Sequence, residues 1–465
     1  MCRKWPVRRK KMFIWAACWT TTVWPDPRPG ASLFLRKNTT TIEGRCHRMS
    51  ITTGPLWDER IRKQIQEKAR LGRTIIEGFG ARRPVSSFDE LTFLAAGLSR
   101  LCIDVHREEC DTATILGARH AKRPLKLKTP IIIAPMSFGA VSREVKMAFA
   151  RASTLAGTVS NTGEGGMLEE ERQLARQLIY QCTPGRYGFN PRDLQRADAV
   201  ELFISQGAKP GSGGHLMGAK ITPEIAGQRG LPVGIDLRSP SRHPDFIGPD
   251  DLVLKILELR EATGWQVPVA LKIGASRVKE DVKIAHKIGA DIVVLDGMQG
   301  GTGAGPEIFK DNVGIPTMAA LAAAMQALRE EGVEGEMDIV VMGGIRDGAD
   351  VAKALALGAK AVGIGTAALV ALGCRACRQC ATGRCPAGLC TQDPALRQRF
   401  DPEEGAEKLA NLIRAMTEEL RMIARICGKT SCHNLEPEDL RALTVEASAI
   451  TGIPLVGSEL VFKPN

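Results

Sequence analysis

Cys374, Cys377, Cys380, Cys385 and Cys390 fall within seventeen residues of one another. Thiolates gathered this densely on one segment suit a soft metal or an iron–sulfur cluster, because such centres select sulfur ligands. The run Cys374-x2-Cys377-x2-Cys380-x4-Cys385-Pro386 differs by one residue from the bacterial ferredoxin pattern. Zinc is the competing reading, although structural zinc usually takes two separated Cys-x2-Cys pairs or a histidine. Cys427 and Cys432 stand apart and read as ordinary thiols. Just upstream lies Gly363-Ile364-Gly365-Thr366, a turn whose glycines let backbone amides approach a phosphate. A cluster loop beside a phosphate turn implies electron transfer to a bound nucleotide cofactor.

Two lysines, Lys209 and Lys272, end or follow apolar strand-like runs. An ammonium at such a place seldom serves packing, since burying it unpaired is costly. A flavin would use one, because a cation at the N1–C2=O edge of the ring stabilises the anionic reduced form. The plainer alternative is a lysine paired to a neighbouring carboxylate such as Asp296 or Glu164. His215 and His243 are weaker candidates for a substrate role, since a lone loop histidine is more often structural.

These residues need a scaffold, and the chain repeats one. Short β-rich runs occur at 131–136, 158–162, 200–204, 233–237, 269–273, 292–296, 339–342 and 361–364. Most are followed by a helical stretch rich in Ala, Leu, Lys and Glu, such as 347–357. Gly289-Ala290 and Gly358-Ala359 supply helix-end signals before the next strand. Eight such units predict a (β/α)8 TIM barrel over 130–372, with a doubly wound open sheet as the alternative. In a barrel the chemistry sits at the C-terminal strand ends, and the loops after strands seven and eight make the usual phosphate site. Gly343-Gly344 and Gly363 with Gly365 fall there. Residues 49–129 read as an N-terminal helical extension, 373–395 as the iron–sulfur loop and 396–465 as a C-terminal helical extension.

The bulk numbers exclude several classes. The net charge of +11 is concentrated in residues 1–50, which hold eleven Lys and Arg against Asp26 and Glu43. The rest is nearly neutral and shows no basic stripe with interleaved aromatics, so nucleic-acid binding is not expected. Residues 1–48 also hold four of the six tryptophans and lack periodicity, reading as a basic leader outside the fold. Their apolar run, 12–19, is far too short to span a bilayer, and no membrane association is expected. Thirteen clustered cysteines in a chain of 465 residues indicate thiols kept for metal in a reducing, cytoplasmic setting.

The longer motifs carry a family resemblance over about residues 80–430. They are MSFGAVS (136–142), NTGEGG (161–166), QGAKPGSGGHLMGAKI (206–221), SPSRHPDF (239–246), LKIG (271–274), DGMQGGTGAGP (296–306), GGIRDGADVAKALALGAKAVGIGT (343–366) and the stretch 371–393. Together they resemble the FMN-binding synthase domain of glutamate synthase. That resemblance implies a (β/α)8 barrel holding FMN and a [3Fe–4S] cluster, which reductively aminates 2-oxoglutarate to glutamate. Carried over residue by residue, it implies Cys374, Cys380 and Cys385 as cluster ligands. Cys377 would make a [4Fe–4S] cluster if it served as a fourth. Ser137, Thr162, Gln206 and Lys272 would contact the flavin. Gly343, Gly344, Gly363, Gly365 and Thr366 would lie at its phosphate. Lys209, Lys220 and Lys272 are the implied catalytic cations, and Arg238, His215 and His243 the substrate-side candidates.

The implied partners are 2-oxoglutarate with ammonia or an amine, and ferredoxin or a pyridine-nucleotide-oxidising subunit as electron donor. Separate glutaminase-like and β-helix-like subunits would complete the assembly. The chain departs from the family pattern at Ser212, where glutamate is usual, at His215, where glutamine is usual, and at Pro244. Two further functions therefore stay open: a flavoprotein subunit of an N-methylglutamate synthase-like complex, and a non-catalytic electron relay.

Overall fold

The computed structural model describes residues 57–458, 460 and 461. The leader expected over 1–48 lies outside the described residues. Eight parallel strands form one sheet: β1 Ile131–Ile133, β2 Ser160–Asn161, β3 Leu178–Cys182, β4 Ala199–Phe203, β5 Val269–Gly274, β6 Ile292–Asp296, β7 Asp338–Met342 and β8 Ala361–Ile364. Neighbours run in the order β1-β8-β7-β6-β5-β4-β3-β2. The remaining gap closes through a backbone bond from the Ile133 N–H to the Val159 carbonyl at 3.1 Å. This is the predicted TIM barrel.

One strand was misplaced by sequence. Residues 233–237 are not in the barrel; Leu178–Cys182 takes the third position instead. All five residues of β3 are buried, whereas Val233 and Ile235 are 55% and 60% exposed. In 233–237 only Leu237 packs inward, through the two-residue pairing of Leu237–Arg238 with His215–Leu216. Alternating apolar residues there describe a surface loop, while a barrel strand buries both faces.

The alternation along each strand decides what faces the barrel axis. Ala270, Ile292, Val294, Val340, Met342 and Ala361 form an inner core cluster. Val269, Leu271, Ile273, Val293 and Leu295 join the outer cluster under the helices. By the same parity Lys272 follows Ala270 inward, and Asp296 follows Val294. The register pairs Gly274 with Asp296 and Lys272 with Phe203, so these polar residues crown the inner core at its C-terminal end.

The N-terminal extension is not the helical segment expected. Among its described residues one longer helix, Glu59–Leu71, precedes the strand Ile76–Phe79 and the hairpin Thr114–Leu116/Leu125–Leu127. Leu116, Leu125 and Leu127 plug the barrel's N-terminal end within the inner cluster. The C-terminal part does contain the expected long helix, Pro402–Ile426, started by Asp401, whose side chain accepts from the Glu403 and Glu404 N–H groups. Its buried face packs on the helix Arg143–Ala156. Among the described residues no helix is long and apolar enough to cross a membrane.

Candidate active site

A cavity of about 560 Å³ opens at the C-terminal strand ends. Ser137, Gln206, Lys209, His215, Lys272, Gly343, Gly344, Gly363, Gly365, Thr366, Cys374 and Cys380 all line it. Residues dispersed between positions 137 and 380 thus border one cavity.

The floor is a charged layer inside the barrel. The Lys272 ammonium lies 3.3 Å from the Asp296 carboxylate and 3.8 Å from the Met342 sulfur. Beneath, the buried Glu201 accepts from Gln181 Nε2 at 2.6 Å and Asn161 Nδ2 at 3.1 Å. Burial pushes the Glu201 carboxyl above its ordinary range, with the Lys272 charge opposing. A single fixed cation therefore reaches the cavity from a layer of acceptors.

One side is built for close backbone approach. Gly343 and Gly344 have φ of 101° and 83°, in the left-handed region that favours glycine. A Cβ on Gly343 would stand 2.9 Å from the Gly297 carbonyl oxygen. These turns follow β7; Gly365 follows β8 and Gly363 lies within that strand near its C-terminal end, so the pair borders the usual phosphate position of the fold.

The opposite side carries Lys209, Glu164 and His215. Lys209 is buried and donates to the Ala304 carbonyl at 2.8 Å. Burial brings its ammonium down to about 8, with the Glu164 charge pulling the other way. Ser239 donates to the Glu164 carboxylate. His215 Nε2 lies 3.6 Å from the Asp236 carboxylate, and burial holds the imidazole below its ordinary value.

Five sequence candidates are not brought to the cavity, Cys385 of the cysteine loop among them. Arg238 is paired opposite His215 but points to solvent. His243 is buried, bonds the Phe203 carbonyl at 2.8 Å and stacks on Phe246 with centroids 5.0 Å apart, a structural role. Thr162 is buried behind the wall, where its hydroxyl accepts from the Gln181 N–H at 3.0 Å. Lys220 faces the cysteine loop, donating to the Ala140 carbonyl at 2.6 Å and the Cys380 carbonyl at 3.2 Å.

Within that loop Cys380, Cys385 and Cys390 are buried and Cys377 is exposed. The Cys390 thiol hydrogen-bonds both Cys380 and Cys385, which holds the Cys385 thiol down at about 5 and also lowers that of Cys380. Cys374 stands half-buried on the cavity wall. Among the described residues no three His, Cys, Asp or Glu side chains converge on a point that one ion could occupy.

Three residues escaped the sequence reading. Phe79 lines the cavity from the extension strand with φ of 73°, and the Arg378 guanidinium sits over its ring at 5.2 Å. A non-glycine residue in that region is strained, as happens at functional sites. Gln299 joins the wall, accepting from the Thr317 N–H at 2.9 Å and donating to the Ser86 carbonyl at 3.0 Å. Arg229 is 3% exposed and donates to the Phe138 and Glu164 carbonyls, while its Nε and Nη1 have no protein acceptor. Only the neighbourhood of the NTGEGG motif signals it; its own position in a short helix carries no pattern.

A model of the conserved region in glutamate synthase matches residues 82–430. A glutamate synthase large subunit-like protein of Rhizobium meliloti is 51% identical over 418 residues, covering 86% of this chain and 95% of that protein. An archaeal glutamate synthase [NADPH] of Methanocaldococcus jannaschii is 42% identical over 408 residues, covering 82% and 80% respectively. Among solved structures, a Pediococcus acidilactici protein described as a lactate oxidase superposes with a TM-score of 0.51 at 17% identity, covering 77% of this chain and 84% of that one. That likeness supports the barrel fold alone.

Proposed function

This chain belongs to the glutamate synthase family, and from that premise we propose that it is the oxidoreductase that reductively aminates 2-oxoglutarate to glutamate on FMN, with electrons delivered through an iron–sulfur cluster. The observation that carries the reading is the shared wall: the glycine turns after β7 and β8, the cation Lys272 and the thiols of Cys374 and Cys380 all border one cavity.

The residues fit the two groups. Gly343 and Gly344 would cradle the FMN phosphate, since both line the cavity in left-handed turns that leave their backbone bare. Lys272 would stand at the ring's acidic edge, and Gln206, fixed to Thr302 at 3.0 Å, would hold its polar side. Cys374, Cys380 and Cys385 would ligate the cluster. Bound FMN supplies a hydride to the carbon–nitrogen double bond formed from 2-oxoglutarate and ammonia. Lys209 would bind a substrate carboxylate, and Glu164, which lines the same cavity, would hold a proton of the amine. Two cations and a carboxylate at one mouth suit a dicarboxylate gaining an amino group.

Electrons would come from ferredoxin or a pyridine-nucleotide-oxidising subunit in the cytoplasm, and ammonia from solution or a glutaminase-like partner. A second reading, methylamine as the nitrogen substrate, is favoured by His215 on the wall where the family pattern has glutamine.

The test is an anaerobic absorbance and EPR spectrum of purified protein with iron, flavin and zinc assayed per chain. Flavin absorbance with an iron–sulfur EPR signal is expected. A colourless, zinc-containing protein would overturn the reading.

A further inference from the structure

Lys220 is 1% exposed, and an ammonium removed from water needs a compensating anion. Three other buried lysines have one: Lys146 lies 2.7 Å from Glu171, Lys310 2.7 Å from Glu77 and Lys272 3.3 Å from Asp296; Lys209, buried without one, borders the open cavity instead. Lys220 has no carboxylate at ion-pair distance among the described residues. Its hydrogen bonds go to neutral carbonyls, those of Ala140 and Cys380. The groups of opposite charge that act on it are the thiols of Cys390, Cys380 and Cys385, while the Arg229 guanidinium opposes. The short turn Gly218–Lys220 buries it at the seam between the loop after β1, which carries Ser137, and the cysteine loop. A cation without a carboxylate, set against a group of thiols, makes physical sense where those sulfurs carry negative charge.

We propose that Lys220 is the counter-cation of the cysteine pocket, a positioning residue that favours the reduced form of the iron–sulfur group rather than a residue that touches substrate. The inference rests on the iron–sulfur reading above. One electron from the external donor adds one negative charge to the cluster, and no bond is made or broken. A fixed positive charge beside the sulfurs lowers the cost of that added charge, so it raises the reduction potential. The same side chain, bonded to the Cys380 and Ala140 carbonyls, ties the cysteine loop to the wall that carries Ser137.

The test compares full-length wild type, Lys220→Met and Lys220→Arg after anaerobic iron and sulfide reconstitution. Three quantities are read: iron per chain, the midpoint potential by EPR-monitored titration, and urea stability with and without iron. Lys220→Met is expected to move the potential to more negative values, with Lys220→Arg close to wild type. In the iron-free protein Lys220→Met should be neutral or stabilising, because it removes a buried ammonium that has no carboxylate to pair with. Loss of iron uptake in Lys220→Met but not in Lys220→Arg also supports the assignment; loss in both overturns it. An unchanged potential in loaded Lys220→Met overturns it too. So does a fall in stability, or failure to fold, in iron-free Lys220→Met, either of which would make the lysine a mere strut. Wild type that takes up no iron would instead overturn the iron–sulfur reading, and this inference with it.

Discussion

Lys209 shows how one side chain joins stability, charge and binding. Burial brings its ammonium down to about 8 from an ordinary 10.5. Between those values the unfolded chain binds the proton and the folded one does not, so this group's contribution to stability rises with pH through that window. Below about 8 the folded protein carries the charge, and that is the form able to hold a carboxylate. The kcat/KM for 2-oxoglutarate should therefore fall above pH 8, because that ratio reports groups of the free enzyme. Lys209→Gln should be weak and flat across the same range; a wild-type profile that stays level to pH 9.5 would show that Lys209 does not hold the substrate. At this scale the sequence was informative where chemistry demanded a residue type. Lysines at strand ends and clustered thiols are costly anywhere else, and Lys209, Lys272, Cys374 and Cys380 do border the cavity. It was uninformative where direction decided: Arg238 and His215 are cross-strand partners, yet only His215 lines the wall.

At the scale of elements, two contacts between distant segments hold the mouth in shape. Lys146, on the helix Arg143–Ala156, donates to the carbonyls of Met136, Asn161 and Thr162 at 2.9, 3.0 and 2.9 Å. It thereby pins the ends of β1 and β2, while Glu171 neutralises it from a second helix at 2.7 Å. Both side chains are fully buried, so Lys146→Met leaves an unpaired carboxylate and should cost about 3–5 kcal/mol in urea unfolding. Adding Glu171→Met should recover much of that loss. The second contact is the strand Ile76–Phe79 against the cysteine loop. A Cβ on Gly78 would fall 2.4 Å from the Cys380 Cβ and 2.8 Å from its sulfur. Gly78→Ala should therefore displace Cys380 and lower iron per chain well below wild type with the barrel still folded by circular dichroism.

Neither contact was legible in sequence, because each joins segments remote along the chain. β4 to β8 were legible because their mostly apolar runs, each broken by at most an inward-facing charge such as Glu201 or Lys272, mark strands buried on both faces. β2 is only two residues long, and β3 mixes Tyr180 and Gln181 into its run. A surface loop with cleaner alternation therefore displaced β3 in the sequence-based assignment.

Over the described molecule, the flanking segments complete the barrel rather than decorate it. The N-terminal hairpin closes one end, and the strand Ile76–Phe79 pairs antiparallel with Thr302–Pro306 beside the cavity at the other. Leu440–Ala442 pairs with Leu91–Phe93, so the two ends of the described chain meet in one small sheet. The cysteine loop emerges directly from β8 and its following helix, Thr366–Ala371, which places thiols and phosphate turn on one wall. In the function proposed above, a cluster on those thiols would feed electrons to FMN in the same cavity, and the reduced flavin would pass them to substrate; that last transfer is what the function stands on. The most direct measurement is an anaerobic single turnover with the flavin photoreduced. Mixing with 2-oxoglutarate and ammonium, and in parallel with 2-oxoglutarate and methylamine, is followed by absorbance and amino-acid analysis. The account predicts reoxidation of the flavin with one glutamate formed per flavin in the first mixture. A protein that carries flavin and iron yet stays reduced in both would contradict it.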